Sequence, residues 1–435
     1  MITSELVVAL INRYRENEVP RLNKLYDYYL GNTDIFKRVM ADPVKPNNKV
    51  GNPFSSLITD TIVGYFAGKP VNYQSQDKDL MIKIQSIFDD NSEASHNKQL
   101  AKQLTVMGLS YELIYLSDAD IKMKVLDPRN TFLIFDDTLD GKVLAGGNFV
   151  DVPDYVNDSV TTKFYIYVED TVSEYILQEE GSELLSADVH HWGRVPITRY
   201  LNNDDATGAF EKVLTLIDAY DLATSDTQNT LEYFADAYLA ITGAEFEDDG
   251  DVTTMKEDRV MLLPEGATAG WLTKEISQEV EEFKNRLKTD IHALSQIPNL
   301  NDSSFSSQQS GEALKYKLFG LENLVSSTEG YFKQALERRI QLITHMLNIK
   351  TSTPYDYTAV TMAFTRNIPQ NLTALADIAS KLTGIISDET LFTLLPFVDN
   401  PALESQRVNG QDEYLDDFHA EIEENDLEYI APEEE

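Results

Sequence analysis

The sequence predicts an α+β fold weighted towards helix, and three observations predict it. Residues 274–297 place Ile276, Val280, Phe283, Leu287, Ile291, Leu294 and Ile297 at steps of three and four, one apolar stripe along a helix. A second stripe runs from Gly311 to about Ile349 through Leu314, Leu318, Leu321, Phe332, Leu336, Ile340, Ile343 and Leu347. At roughly 1.5 Å per residue it predicts a helix more than ~50 Å long. Between Ser110 and Ile197 the pattern changes to short runs, YELIYL, IKMKVL, TFLIFDD, KFYIYVED and EYILQEE, rich in β-branched and aromatic residues. Asp, Asn and Gly separate them, as in antiparallel strands and hairpins.

In chain order, the opening MITSELVVALINRYRENEVP has no basic leader, and Asn12 and Arg13 break its apolar run. It reads as an amphipathic helix rather than a signal peptide. Residues 1–110 are mostly helical, with breaks at Gly31-Asn32, Pro43 to Pro53 and around Pro70. After the strands, LNNDDATG (Leu201 to Gly208) is a turn-rich hinge. A helix from Ala209 to about Tyr238 follows, apolar at Phe210, Val213, Leu214, Ile217 and Tyr220 and again at Leu231, Phe234 and Tyr238. Between these groups Thr224 to Thr230 carries no apolar residue, so that stretch is expected to face water, a channel or another subunit. Residues 239–273 hold YLAIT, VMLLPEG and AGWLTK around the acidic loop EFEDDGD, a small insertion of short strands. Pro298 ends the helix of residues 274–297. After Lys350, TAVTMAFT is strand-like. A helical hairpin follows, built on Leu372, Leu375, Ile378, Leu382, Leu391, Leu394 and Leu395. The last stretch, 411–435, has twelve acidic residues and no Lys or Arg, and is expected to be disordered or loosely helical.

At 435 residues the chain has room for about three domain-sized units. Its formal charge of −37 excludes tight DNA binding through counterion release. The same charge suits either a slippery conduit for DNA or plain solubility. There is no cysteine, so no disulfide and no thiolate metal site. No run approaches the ~18 consecutive apolar residues of a membrane span, which predicts a soluble protein.

Motifs that could carry catalysis fail in detail. Aligning Gly250 of EFEDDGD with the glycine of a calcium loop puts Lys256 where the bidentate glutamate belongs, leaving an acidic turn with at most weak divalent binding. GYFAGKP (Gly64 to Pro70) has only three residues between its glycines and Pro70 where Ser or Thr should hold magnesium, so it reads as a helix ending at Gly68. His190 and His191, as neighbours on a strand, would point to opposite faces, and His96, His292, His345 and His419 are scattered. No nucleophile motif is present. We therefore expect no cofactor, no metal and no catalytic residue.

The stretch PNLNDSSFSSQQSGEALKYKLFGLENL (Pro298 to Leu324), a polar loop between two long helices, resembles the portal proteins of tailed bacteriophages, in the branch typified by the portal of a Bacillus siphophage. The likeness is best in SGEALKYKLFGLENL and recurs in family order in YYLGNTDI, KPNNKVGNPF, DTIVGYFAGKPVNY, LDPRNTFLIFDD, GRVPITRYLNNDD with LIDAYDLATSD, FTRNIPQN and ISDETLFTLLPFVDNP, across about nine-tenths of the chain.

The resemblance implies a wing at 1–208, a first stem helix at 209–238, a clip at 239–273, a second stem helix at 274–297, a channel loop at 298–310, a long wing helix and strand at 311–366, a crown at 367–410 and an acidic tail at 411–435. It implies a closed ring, usually of twelve copies, at one capsid vertex. That ring would nucleate the procapsid and pass double-stranded DNA without sequence preference during packaging and ejection. The implied partners are the terminase large subunit, a scaffolding protein, the major capsid protein and a head-completion adaptor. The protein would occupy the host cytoplasm during assembly, then the virion.

The channel loop would present Asn299, Asn301, Asp302, Ser303, Ser304, Phe305, Ser306, Ser307, Gln308 and Gln309, mostly neutral groups that touch phosphate weakly and release it. Phe305 is either DNA-facing or the anchor packing the loop on its neighbour. Lys284, Arg286 and Lys288 either damp the acidic field in the channel or pair at i,i+4 with Glu281 and Glu282. Glu247, Asp248, Asp249 and Asp251 are the partner-binding candidates of the clip. Two other readings are a carboxylate hydrolase of α+β fold and another head-tail connector or adaptor of the same phage.

Overall fold

The computed structural model describes residues 3–43, 45–178, 181–235, 238–242, 266, 268–272, 278–299, 316–367, 372–393 and a few positions between 395 and 408. It is a mixed helix-and-sheet protein in two compact units, residues 1–367 and 368–435.

The first unit opens with α1 (Ser4–Asn17) and α2 (Val19–Tyr29). The Thr3 hydroxyl caps α1, and Pro20 lies in the first turn of α2, where a missing N–H costs nothing. After an extended stretch come α3 (Phe54–Phe66), the short strand β1 (Asn72–Ser75), α4 (Lys78–Asp90) and α5 (Glu93–Met107). Two antiparallel sheets follow. β2 (Leu109–Ser117) lies between β3 (Asp120–Leu126) and β9 (Ile197–Leu201). A five-stranded meander runs β4 (Thr131–Phe135), β5 (Val143–Asp154), β6 (Ser159–Tyr167), β7 (Thr171–Leu177) and β8 (Ser182–Val189). Val7 and Ile11 of α1 pack on its inner residues Phe132, Ala145, Phe149, Phe164 and Ile166.

All five alternating runs form strands, and β5 joins them unannounced. Its Gly146-Gly147 and Pro153 look like turn residues, but the glycines sit mid-strand for another reason. A Cβ on Gly147 would strike the Phe132 ring at 2.6 Å, and one on Gly146 would strike Ile197 at 2.8 Å. Side chains from neighbouring strands lie directly over that backbone. His190 and His191 are not on a strand, because β8 stops at Val189. His190 Nε2 donates to the Val168 carbonyl (3.1 Å), its Nδ1 accepts from the Trp192 amide, and Trp192 enters the core. The hinge is a pinned turn. Asn203 and Thr207 bond each other, and Gly108, at φ +86°, lies so near Ala206 that a Cβ would stand 1.9 Å from its carbonyl oxygen.

Next come α6 (Leu214–Ala235) and the paired strands β10 (Tyr238–Thr242) and β11 (Thr268–Leu272). α6 is shorter at both ends than the periodicity suggests: residues 211–213 form a 3-10 turn, and Tyr238 begins a strand. α7 (Gln278–Leu294) packs beside α6. α8 (Phe319–Thr351) spans 33 residues, about 50 Å, and the start expected at Gly311 lies outside the described residues. β12 (Val360–Ala363) returns to pair antiparallel with β1. The second unit contains α9 (Leu372–Leu382) and α10 (Asp388–Thr393), separated by a turn with Gly384 at φ +78°.

The C-terminal half of α8 is held by apolar packing around one buried ionic cluster. Ile340, Leu342, Ile343, Met346 and Leu347 meet Leu80, Ile84, Phe88, Ile114 and Trp192. Beside them Arg339 and Glu112 are both wholly buried. The Glu112 carboxylate receives Arg339 Nε at 3.0 Å and Nη2 at 2.8 Å, the Tyr200 hydroxyl at 2.7 Å and His96 Nε2 at 2.7 Å. Glu93 takes the third nitrogen of Arg339, Nη1, at 3.3 Å. Burial pushes the Glu112 carboxyl up, but Arg339 and His96 outweigh it and hold the group at about 2.

Candidate nucleic-acid channel

The polar stretch of α6 is not turned away from its own chain. Asp221, Ser225 and Asn229 recur every fourth residue, about 6 Å along a helix. Facing them, Asn52, Val50 and Asn48 recur every second residue of extended chain, about 6.6 Å. The two spacings nearly match, so the segment runs along the helix as a ladder. Asn52 donates its amide (2.9 Å) and its Nδ2 (2.8 Å) to Asp221 Oδ1. The Val50 amide donates to Ser225 Oγ (2.9 Å), and the Asn48 amide to Asn229 Oδ1 (2.7 Å). Arg38 adds an ion pair to Asp226 (2.7 Å). The Tyr28 hydroxyl donates to Asp218 (2.5 Å), and the Thr33 hydroxyl to Asp221 Oδ2 (2.6 Å). Thr224, Thr227 and Thr230 return their hydroxyls to carbonyls of their own helix. The expectation that Thr224 to Thr230 faces water, a channel or a neighbour is therefore corrected at Ser225 and Asn229. They are polar because the surface they cover is backbone. Burial raises the carboxyl of the fully enclosed Asp221 above its ordinary range, against the bonds from Thr33 and Asn52 that lower it.

α7 buries Leu287 and Ile291 and leaves Phe283 (52 %) and Leu294 (66 %) exposed, although all four share the predicted stripe. On α6, Leu222 and Leu231 are likewise exposed. Periodicity reports which face is apolar, not which chain covers it. Of the candidate bases, Lys284 pairs with Glu281 at 2.6 Å and Arg286 with Asp290 at 3.5 Å, while Lys288 makes no ion pair among the described residues. Arg286 thus reaches towards the C-terminus of the helix and not back to Glu282.

α7 ends before the proline. Gln296 takes a left-handed backbone (φ +59°), its amide bonds the Ala293 carbonyl, and the Ile297 amide bonds that of His292. These are the two bonds of a Schellman motif, made here without glycine. Ile297 is buried beneath the reversal. Pro298 follows a helix that has already stopped. Gln296 also lies against α8: a Cβ built on Gly320 would stand 3.5 Å from Gln296 Cβ. Gln296 and Gly320, the described roots of the segment that links α7 to α8, therefore stand side by side. Of its candidate residues, Asn299 is half-buried, and Asn301, Asp302, Ser303, Ser304, Phe305, Ser306, Ser307, Gln308 and Gln309 lie outside the described residues. So do Glu247, Asp248, Asp249 and Asp251.

Sequence reasoning passed over Asp221, Asn48, Asn52, Gln296 and, at the start of α8, Glu322 with its partner Arg366. The available signal was position, since all but Gln296 fall inside the segments that carried the resemblance. The structure joins those segments: YYLGNTDI and KPNNKVGNPF meet LIDAYDLATSD, and FTRN meets both GYFAGKP and LFGLENL. Among the described residues no His, Asp and Glu gather as a metal site, and no helix is long and apolar enough to cross a membrane.

Comparison with known families places this mixed helix-and-sheet chain in a structural class of phage protein. Residues 9–426 match the family described as "Phage portal protein, SPP1 Gp6-like", and the chain belongs to that family. It is similar to the portal protein of Bacillus phage SPP1, 21% identical over 94% of this chain and 89% of that protein. It is also similar to the portal protein of Clostridium phage phiCD119, 23% identical over 86% of this chain and 88% of that one. Its function is that of a phage portal, and proteins of this family are virion components.

Proposed function

We propose that copies of this chain close into a ring, of twelve subunits as is usual in the family, around a channel for double-stranded DNA at one capsid vertex. The observation that carries this reading is the proximity of Gln296 and Gly320, which brings together the described ends of the segment linking α7 to α8, within which residues 298–310 fall. In the ring, α6 and α7 are the stem, residues 239–273 the clip, residues 298–310 the channel loop and residues 367–410 the crown. Phe283, Leu294, Leu222 and Leu231, exposed on the two stem helices, are suited to packing against the next copy. The neutral loop side chains and a net charge of −37 favour a duplex that slides without gripping.

Lys284 and Arg286 have local acidic partners and soften the acidic surface only in part; Lys288 is the stronger candidate for the channel wall. Glu247, Asp248, Asp249 and Asp251 serve as the partner face of the clip, where the terminase large subunit docks during packaging and an adaptor replaces it. A scaffolding protein and the major capsid protein meet the rest of the ring in the host cytoplasm before it becomes part of the virion. Family membership disfavours the hydrolase and adaptor readings.

Native mass spectrometry and negative-stain imaging of the purified protein test the ring. A closed particle with an axial opening is the expected result, and a compact monomer or dimer overturns it. Replacing residues 301–309 with a Gly-Ser segment of equal length should leave the ring intact and impair packaging.

A further inference from the structure

Two residues beyond the loop root at Gly320, the carboxylate of Glu322 is gripped from several sides. Arg366 approaches it as a fork, Nε at 3.0 Å and Nη2 at 2.8 Å, and the remaining nitrogen, Nη1, reaches Glu329 at 2.6 Å. Glu322 and Glu329 lie two helical turns apart, so a single guanidinium spans about 10 Å of the start of α8. The Tyr65 hydroxyl of α3 donates to the same Glu322 carboxylate at 2.7 Å, and the Ser326 hydroxyl at 2.9 Å.

Arg366 is itself held in place. Phe364, two residues earlier, stacks on Phe66 at 5.5 Å and meets Phe332 edge-on at 6.2 Å. Asn367 donates its amide to the Tyr65 carbonyl (3.1 Å) and its Nδ2 to that of Gly64 (3.2 Å), satisfying the last turn of α3. Gly68 leaves the room, since a Cβ there would stand 2.6 Å from Asn367 Nδ2. Nearby, Phe319 is 63 % exposed and Tyr316, just before α8, 82 %, while Leu318, Leu321 and Val325 are buried. An arginine fork bound to two carboxylates fixes direction as well as distance, which a lysine cannot reproduce.

We propose that Arg366 is the positioning residue of the channel loop: by clasping Glu322 and Glu329 it fixes the start of α8, the helix that follows the loop, and so the register of the loop in the channel. This rests on reading residues 298–310 as the channel loop. Arg366 does not touch DNA; it acts through α8.

The test uses the full-length assembled protein and hydrogen exchange read separately over residues 316–330 and 336–347. Arg366→Gln should speed exchange over 316–330 by about tenfold or more while residues 336–347, locked in the core, change little. Arg366→Lys should fall between the two, and Glu329→Gln, a milder break, should act in the same direction. Raising salt from ~0.1 M to ~1 M should loosen 316–330 in the wild type and leave Arg366→Gln unaffected, a response that apolar packing alone would not give. Unchanged exchange over 316–330 in Arg366→Gln, or equal loosening of both regions, overturns the proposal. Packaging is measured in the same variants and in the Gly-Ser replacement of 301–309. If that replacement packages normally, the channel-loop reading fails while the exchange result still decides whether the clasp exists. If it fails to package and Arg366→Gln packages at the wild-type rate, the loop reading stands and the positioning role is lost.

Discussion

The two long helices of the first unit are fastened to one body by opposite means. α8 enters an apolar core and closes on a buried arginine with two buried glutamates. α6 is fastened along its middle by a ladder of hydrogen bonds to an extended segment. The first kind of joint is stiff and intolerant, because removing one member strands a charge without water. The second is assembled from hydrogen bonds worth about 1 kcal/mol each, buried at Asp221 and Ser225, so that no single one carries the joint. The two joints therefore need different amino acids, and α6 is polar along this stretch because the surface it covers is backbone.

The contrast can be broken most forcefully at Arg339. Arg339→Leu should cost about 3–5 kcal/mol in urea unfolding, since Glu112 and Glu93 remain buried without their cation; a loss below about 1 kcal/mol would make the cluster incidental. Acid titration sharpens the same point. The Glu112 carboxyl is held below its ordinary 4.5, at about 2, so its contribution is complete above about pH 4.5 and is lost as pH falls towards 2. Glu112→Gln should flatten that acid limb.

On α6, Asp221→Leu should cost about 2–3 kcal/mol by leaving the Asn52 amide and the Thr33 hydroxyl unpaired. Asp221→Asn keeps an acceptor for Asn52 and should cost under about 1 kcal/mol. The sign is set by burial: the carboxyl is raised in the fold, so this group favours folding at low pH and opposes it as pH rises, and the neutral amide avoids that penalty. Faster exchange of the residue 48–52 amides would locate the damage. The smallest effect is expected at Gln296→Gly, which should raise the melting temperature slightly, for a gain of about 0.5–1 kcal/mol, by relieving a left-handed backbone. A destabilised Gln296→Gly would mean that the side chain's packing beside Gly320 outweighs the relief of its backbone.

Much of the fold was legible because local periodicity reports burial directly. Leu321, Phe332, Leu336, Ile340, Ile343 and Leu347 read as one stripe and are all buried. β5 was hidden because Gly146, Gly147 and Pro153 imitate turn signals, and only Ile197 over Gly146 and the Phe132 ring over Gly147 explain the two glycines. The seam on α6 was illegible for a related reason: the residues that satisfy Asp221 and Ser225 come about 170 positions earlier, and no local pattern points to them. Arg366 and Glu322 were invisible individually for the same reason, 44 residues apart and ordinary in type. Of the loop, the sequence announced polarity and length; that α7 and α8 stand side by side at its flanks is read from Gln296 and Gly320.

That touching pair has a consequence for change. When the feet of a loop already stand together, its span no longer limits its size, and doubling the number of residues in it costs only about 0.6 kcal/mol of closure entropy. Residues between the feet can be added, removed or exchanged while the two helices keep their places. In the ring proposed above, bore width and lining could then be retuned in this one segment without redesigning the frame that carries it.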